Sequence, residues 1–190
     1  MDIERASVEI YLVQHGEAQP KSIDRARSLT GRGRRDAERV GAFAARLGLE
    51  VRQIRHSGKT RAQQTAAILG QALAPPGGVV AVSGLAPLDD VRPVADGLER
   101  ETALVMLVGH MPFMARLAGF LVSGDPDLPV VQFHNAALVC LARGEDGWLV
   151  DWILTPEMAG VWMGNSTPPR RGEGNSTSPL APPRSGEGKC

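Results

Sequence analysis

The chain alternates compact apolar runs with longer stretches whose apolar residues recur every three or four positions. Residues 8–13 (VEIYLV) read as a buried strand. A polar loop follows over 19–29. From Thr30 to about Leu47, Ala37, Val40, Phe43, Ala44 and Leu47 share one face at helical spacing, and Gly48 is placed to end the helix. Residues 51–55 form a second short strand. The next helix runs over about 59–73, with Ser57 as its cap and Ala62, Ala66, Leu69 and Leu73 turned inward. Pro75-Pro76-Gly77-Gly78 breaks the chain before a third strand at 79–82. A short helix over 89–98 and a strongly apolar strand at 104–108 come next. Pro112 stands near the first turn of a helix to about Leu121, where its missing N–H costs little. Residues 136–142 and 148–154 are two late strands joined by RGEDG, a hairpin turn. This order predicts an α/β sandwich with a mostly parallel sheet and an antiparallel edge made by the last two strands.

The pattern stops near Gly164. GNSTPPRRGEG and GNSTSPLAPPRSGEG form a near repeat of small polar residues and proline, which cannot build a core. The expected organisation is a folded domain over 1–160 and a disordered tail over 161–190.

Composition narrows the function classes. The 190 residues are 43% hydrophobic with a net charge of zero, so no global field points to nucleic acid or to a membrane surface. Cys140 and Cys190 form no CxxC or ligand cluster, which argues against structural zinc. No signal peptide is visible and no apolar run approaches the ~20 residues that span a bilayer. A cytoplasmic, monomeric enzyme or binding domain is the expectation. Zero net charge hides a local bias: between Asp24 and Arg61, eleven Arg and Lys face four acids, a balance of +7. That face is either a solvated surface or an anion-binding side. With a single tyrosine in the chain, base stacking has little support, and a small or protein-borne phosphate fits better than a polymer.

The histidines carry the candidate chemistry. His15 and His110 each follow directly on an apolar strand, in YLVQ-His15 and VMLVG-His110. In an open parallel sheet, the carboxyl ends of the strands line the ligand crevice, so the two can face each other. His56 opens IRHSGKTRAQQT, where a helix start and Arg55, Lys59 and Arg61 lie together. Free N–H groups and cations at a helix start suit a phosphate, and Arg61 is best placed for a bidentate grip. GRGRR at 31–35 lacks the spacing of a nucleotide-binding loop. His134, in VVQFHNAAL, reads as structural or exposed.

YLVQHGEA, HSGKTRAQQTA and LVGHMPF, in this order and at strand ends, resemble the three core segments of the histidine phosphatase superfamily, and within it the compact SixA-type phosphohistidine phosphatases. The resemblance covers about residues 8–155. It implies a three-layer α/β/α sandwich, a histidine nucleophile that is transiently phosphorylated, and no metal or organic cofactor. His15 matches the nucleophile. Arg61 matches a phosphate-binding arginine and His110 the second pocket histidine. Gly16 matches the glycine that lets the chain pass close to the phosphate. The family opens with Arg-His-Gly, whereas Gln14 precedes His15 here. Losing one charged contact in a shielded site costs roughly 2–4 kcal/mol, or about 30- to 1000-fold in rate. Arg55, Arg27 and Lys59 are the candidates to compensate.

The resemblance implies a leaving-group acid on the segment after the third strand, where LAPLDDV offers Asp89 first and Asp90 next, with Glu17 or no carboxylate at all as further options; Asp89 is as readily a helix cap. The helical insert expected of mutases is missing, so the pocket should be open to a phosphorylated side chain on another protein or to small phosphorylated substrates. The expected activity is hydrolysis of phosphohistidine through a phosphoryl group on His15, with Gln14, Gly16, Arg61 and His110 around it. The alternative is a phosphate- or phosphoprotein-binding module with little or no turnover, for which Gln14 is the best support. No nucleic-acid, membrane or metal partner is expected.

Overall fold

The computed structural model describes residues 8–164. Six strands form one sheet in the order β3-β2-β4-β1-β5-β6. In chain order the elements are β1 (Val8–Gln14), α1 (Gly31–Arg46), β2 (Gln53–His56), α2 (Thr60–Leu73), β3 (Val79–Ala81), α3 (Arg92–Glu99), β4 (Val105–Gly109), α4 (Phe113–Ser123), β5 (Leu138–Gly144), β6 (Gly147–Leu154) and α5 (Pro156–Gly164). The first four strands run parallel, and β5 is antiparallel to both β1 and β6. The expected mostly parallel sheet with a late antiparallel hairpin is what forms.

Alternation along the strands feeds two cores. Ile10 and Leu12 of β1 and Val105 and Leu107 of β4 pack with Leu98 of α3 and with Phe113 and Leu117 of α4. Tyr11, Val13, Met106 and Val108 face the other way, onto Val40 and Phe43 of α1, Ala66 and Leu69 of α2, and Ala159 of α5. The sheet is thus covered on both sides, which is why β1 and β4 read as continuous apolar runs.

Two helix starts differ in kind. Thr30 caps α1 as expected, its Oγ1 accepting from Gly33 N at 2.9 Å. Ser57 does not cap α2: Lys59 holds the cap position, and no side chain closes that end. The hydroxyl of Ser57 is engaged elsewhere, in the site described below.

α5 is absent from the sequence reading, and it runs past the expected domain boundary at 160. Its signal was present in Thr155-Pro156-Glu157: a hydroxyl residue, then proline in the first turn. Thr155 Oγ1 accepts from Met158 N at 3.3 Å, and Ala159 is fully buried. The expected disordered tail lies outside the described residues from 165 onward. Among the described residues, no helix is long and apolar enough to cross a membrane.

Candidate active site

Strand order assembles the site. β4 lies between β2 and β1, so the residues that follow these three strands meet at one edge of the sheet. His15 follows β1, its N–H donating to Gly109 O at 3.0 Å. His110 follows β4 and is 1% exposed. Their rings stand edge to face with centroids 4.9 Å apart. Ser57 follows β2, and its Oγ lies 2.6 Å from His110 Nε2. Arg61, in the first turn of α2, donates from Nε to His15 Nε2 at 3.0 Å.

The last contact settles the tautomer of His15. A guanidinium can only donate, so Nε2 of His15 carries the lone pair. The proton is then on Nδ1, which donates to Gly16 O at 2.7 Å. His15 therefore presents an unprotonated Nε2 to Arg61, beside the ring of His110.

The short RAQQT segment builds this geometry with successive residues. Arg61 reaches His15, while Ala62 and Ala66 sit in the core. Gln64 Oε1 accepts from Leu29 N at 2.7 Å, fixing the loop after β1. Thr65 Oγ1 accepts from Gly16 N at 3.0 Å and donates to Arg61 O at 2.8 Å. The N–H of Gly16 is therefore held by Thr65. Its missing side chain has a separate cause: a Cβ there would stand 2.6 Å from Gly33 O. A Cβ on Gly33 would in turn overlap the backbone of Glu17. GRGRR thus owes its central glycine to packing against the loop that follows β1.

No family model matches the chain. Phosphohistidine phosphatase SixA of Escherichia coli (strain K12) is 24% identical over 155 residues, covering 78% of this chain and 94% of that protein. The structure of the protein histidine phosphatase SixA complexed with tungstate superposes with a TM-score of 0.70 at 24% identity, over 78% of this chain and 97% of that one. SixA from Agrobacterium tumefaciens gives 0.64 at 25% identity, over 78% and 98%. The chain is thus similar in sequence and in fold to SixA-type phosphohistidine phosphatases.

Not every expected residue reaches the pocket. Arg55 points away from it, donating to Glu101 Oε2 and to Gln53 Oε1, both at 2.9 Å. Arg27 and Lys59 are the cations that remain close: both disfavour protonation of His110, and Arg27 does the same to His15. Asp89 Oδ2 accepts from Ala86 N at 2.8 Å, closing the loop before α3 rather than capping the helix. Asp90 accepts from Arg92 N, and Glu17 Oε2 accepts from Thr30 Oγ1 at 2.6 Å. His134 is exposed, as expected. Sequence reasoning missed Ser57 as a partner of His110 and Asn135 as a partner of Gln14, whose Nε2 donates to Asn135 Oδ1 at 2.7 Å.

Burial holds both histidines neutral. His15 is lowered to about 4, chiefly by desolvation, opposed by the Gly16 carbonyl and reinforced by Arg61 and Arg27. His110 is lowered to about 3 by desolvation first, then by His15 and the surrounding cations. The unfolded chain takes up these protons near pH 6.5 while the folded chain does not. Their stability contribution is full above that pH and is lost as pH falls toward 4. We expect a lower denaturation midpoint at pH 4.5 than at pH 7, and His15 and His110 imidazole resonances that stay unmoved between pH 8 and 5.5. Ordinary titration of both rings near 6.5 would refute this description of the pocket.

Proposed function

We propose that the chain is a phosphohistidine phosphatase that works through a phosphoryl group carried on His15 Nε2. The observation that supports it most is the pairing of Arg61 Nε–H with the lone pair of His15 Nε2, beside His110. A base fixed in its neutral tautomer within a ring of cations is suited to attack an electron-poor phosphorus.

In the first step the His15 Nε2 lone pair attacks phosphorus in line. The bond from phosphorus to the leaving imidazole breaks, and its electron pair leaves with the imidazole, which takes up a proton. Arg61 swings from Nε2 to the equatorial oxygens, joined by His110. In the second step water attacks phosphorus, the bond to Nε2 breaks with its electrons returning to His15, the water proton passes to solvent and phosphate leaves. No metal or organic cofactor takes part in this scheme. Ser57 acts through His110: an Oγ–H donated to Nε2 leaves the proton on Nδ1, a buried atom without a partner in the structure. Ser57→Ala should lower turnover by roughly 5- to 30-fold, the worth of one such bond at about 1–2 kcal/mol. Its effect should fall on kcat more than on KM in steady-state assays.

The deciding experiment traps the protein on a phosphoramidate donor without acid and maps the mass by peptide. A phosphoryl group on His15 that turns over establishes the reading. Phosphate binding without any phosphoenzyme, across several donors, would favour the binding-module alternative, which Gln14 supports. The same assay with Asp89→Asn tests the leaving-group acid. If Asp89 donates the proton, an alkyl phosphate should slow by at least about tenfold, and a phosphoramidate by less, since its leaving nitrogen is more easily protonated. Equal rates for the variant and the parent on both donors would remove Asp89 from the mechanism.

A further inference from the structure

We propose that Thr65 positions the His15 nucleophile: its buried hydroxyl ties together the two residues that hold the His15 ring nitrogens, and so keeps the proton on Nδ1 and the lone pair on Nε2. The inference rests on the phosphoryl-transfer reading above and concerns what keeps its nucleophile in the reactive tautomer.

Thr65 lies within α2 and is fully buried. Threonine is a weak helix former, and a buried hydroxyl is costly unless it is hydrogen-bonded. Here the hydroxyl is used twice. Oγ1 donates to Arg61 O at 2.8 Å, one turn back, and accepts from Gly16 N at 3.0 Å. Both directions are forced, since a carbonyl oxygen can only accept and a peptide N–H can only donate. The next bonds are forced in the same way. Gly16 O accepts from His15 Nδ1 at 2.7 Å, and Arg61 Nε donates to His15 Nε2 at 3.0 Å. Thr65 thus binds the backbone of both residues that bind the ring.

Gly16 is where such a tie matters. Packing against Gly33 O denies this position a side chain. A glycine left to itself turns freely about φ and ψ, and a turn here would carry its carbonyl away from His15 Nδ1. The backbone is pinned on both sides: Thr65 holds Gly16 N–H, and Thr30 N donates to Glu17 O at 2.9 Å just beyond. Without the hydroxyl, the buried Gly16 N–H loses its acceptor and the glycine shifts to find another. The Nδ1 proton then loses its partner, and the Nε2–H tautomer, which offers phosphorus no lone pair at Nε2, becomes populated. Thr65 touches no reacting atom; it is a positioning residue.

The test compares Thr65→Val, which keeps the shape without the hydroxyl, with Thr65→Ser, which keeps the hydroxyl. Thr65→Ala serves as a second hydroxyl-free variant should valine not fold. The first readout is the pair of His15 imidazole 15N resonances at pH 7. They should be widely split in the parent and in Thr65→Ser, as for one fixed tautomer, and should converge in the hydroxyl-free variant. The second is turnover of a phosphoramidate: kcat should fall about 10- to 100-fold without the hydroxyl and stay within about threefold for serine, with KM within about threefold in both. The third is the pH titration of His15. The Gly16 carbonyl raises its pKa, so losing that partner should leave it at or below about 4. A hydroxyl-free variant whose His15 titrates near 6.5 would mean a pocket merely opened to water and would overturn the proposal, as would unchanged split resonances or a serine variant as slow as valine. If the parent forms no phosphoenzyme, the phosphatase reading fails, and the 15N resonances still decide whether Thr65 holds the tautomer. If the parent forms it and the hydroxyl-free variant keeps both the split resonances and the parent rate, only this inference fails.

Discussion

His15→Ala should abolish the phosphoenzyme and lower turnover by about 10⁴-fold or more, the scale seen when a covalent nucleophile is removed from a site whose members act as a unit. Phosphate affinity should change far less, because Arg61, Arg27 and Lys59 remain. The parent's rate should not climb as pH rises through the usual imidazole range, since His15 is already neutral there, lowered to about 4 by burial. Quenched-flow trapping and calorimetry on the same preparation separate the two effects. An alanine variant that still forms a phosphoenzyme would move the nucleophile elsewhere, with His110 the first place to look.

Arg61→Lys is the more informative change at the second position. It keeps the charge but removes both the Nε–H that meets His15 Nε2 at 3.0 Å and the planar fork. A reduction of about 10²- to 10³-fold in kcat is expected, the range for one preorganised donor on a developing anion. If charge alone mattered, lysine would approach the parent rate, and the Arg61 geometry would have no special role. The His15 titration should also shift. Without Nε–H the lone pair loses its partner, and the pKa should rise from about 4 in the variant if the guanidinium contributes to holding it down.

Much of this was readable along the chain because burial leaves a local trace. β1 and β4 are covered on both faces, so their apolar runs end abruptly where His15 and His110 begin. Thr30 and Gly48 mark the ends of α1 through local bonding and a positive φ of 70° at Gly48. What the pattern could not carry is adjacency. Ser57 looks like a helix cap in its own segment, and only the insertion of β4 beside β2 brings His110 Nε2 to it. Arg55 looks like a pocket cation until strand alternation turns it toward Glu101. Asn135 is an ordinary polar loop residue until the chain folds it onto Gln14, 121 positions earlier. Gly33 resembles part of a phosphate loop, yet its reason is the backbone of Glu17 pressed against it.

The central place of β4 has a kinetic consequence. β1 and β2 share no hydrogen-bonded ladder; β4 joins them, and it is the last of the four parallel strands to be synthesised. Helices α1 and α2 can form from local contacts, but the pocket requires pairings across separations such as Leu12 with Leu107 and Ile54 with Met106. Such long loops close slowly. During refolding, helical signal should therefore recover before phosphate affinity does, and a nascent chain that has not yet released β4 from the ribosome carries His15 without His110 beside it.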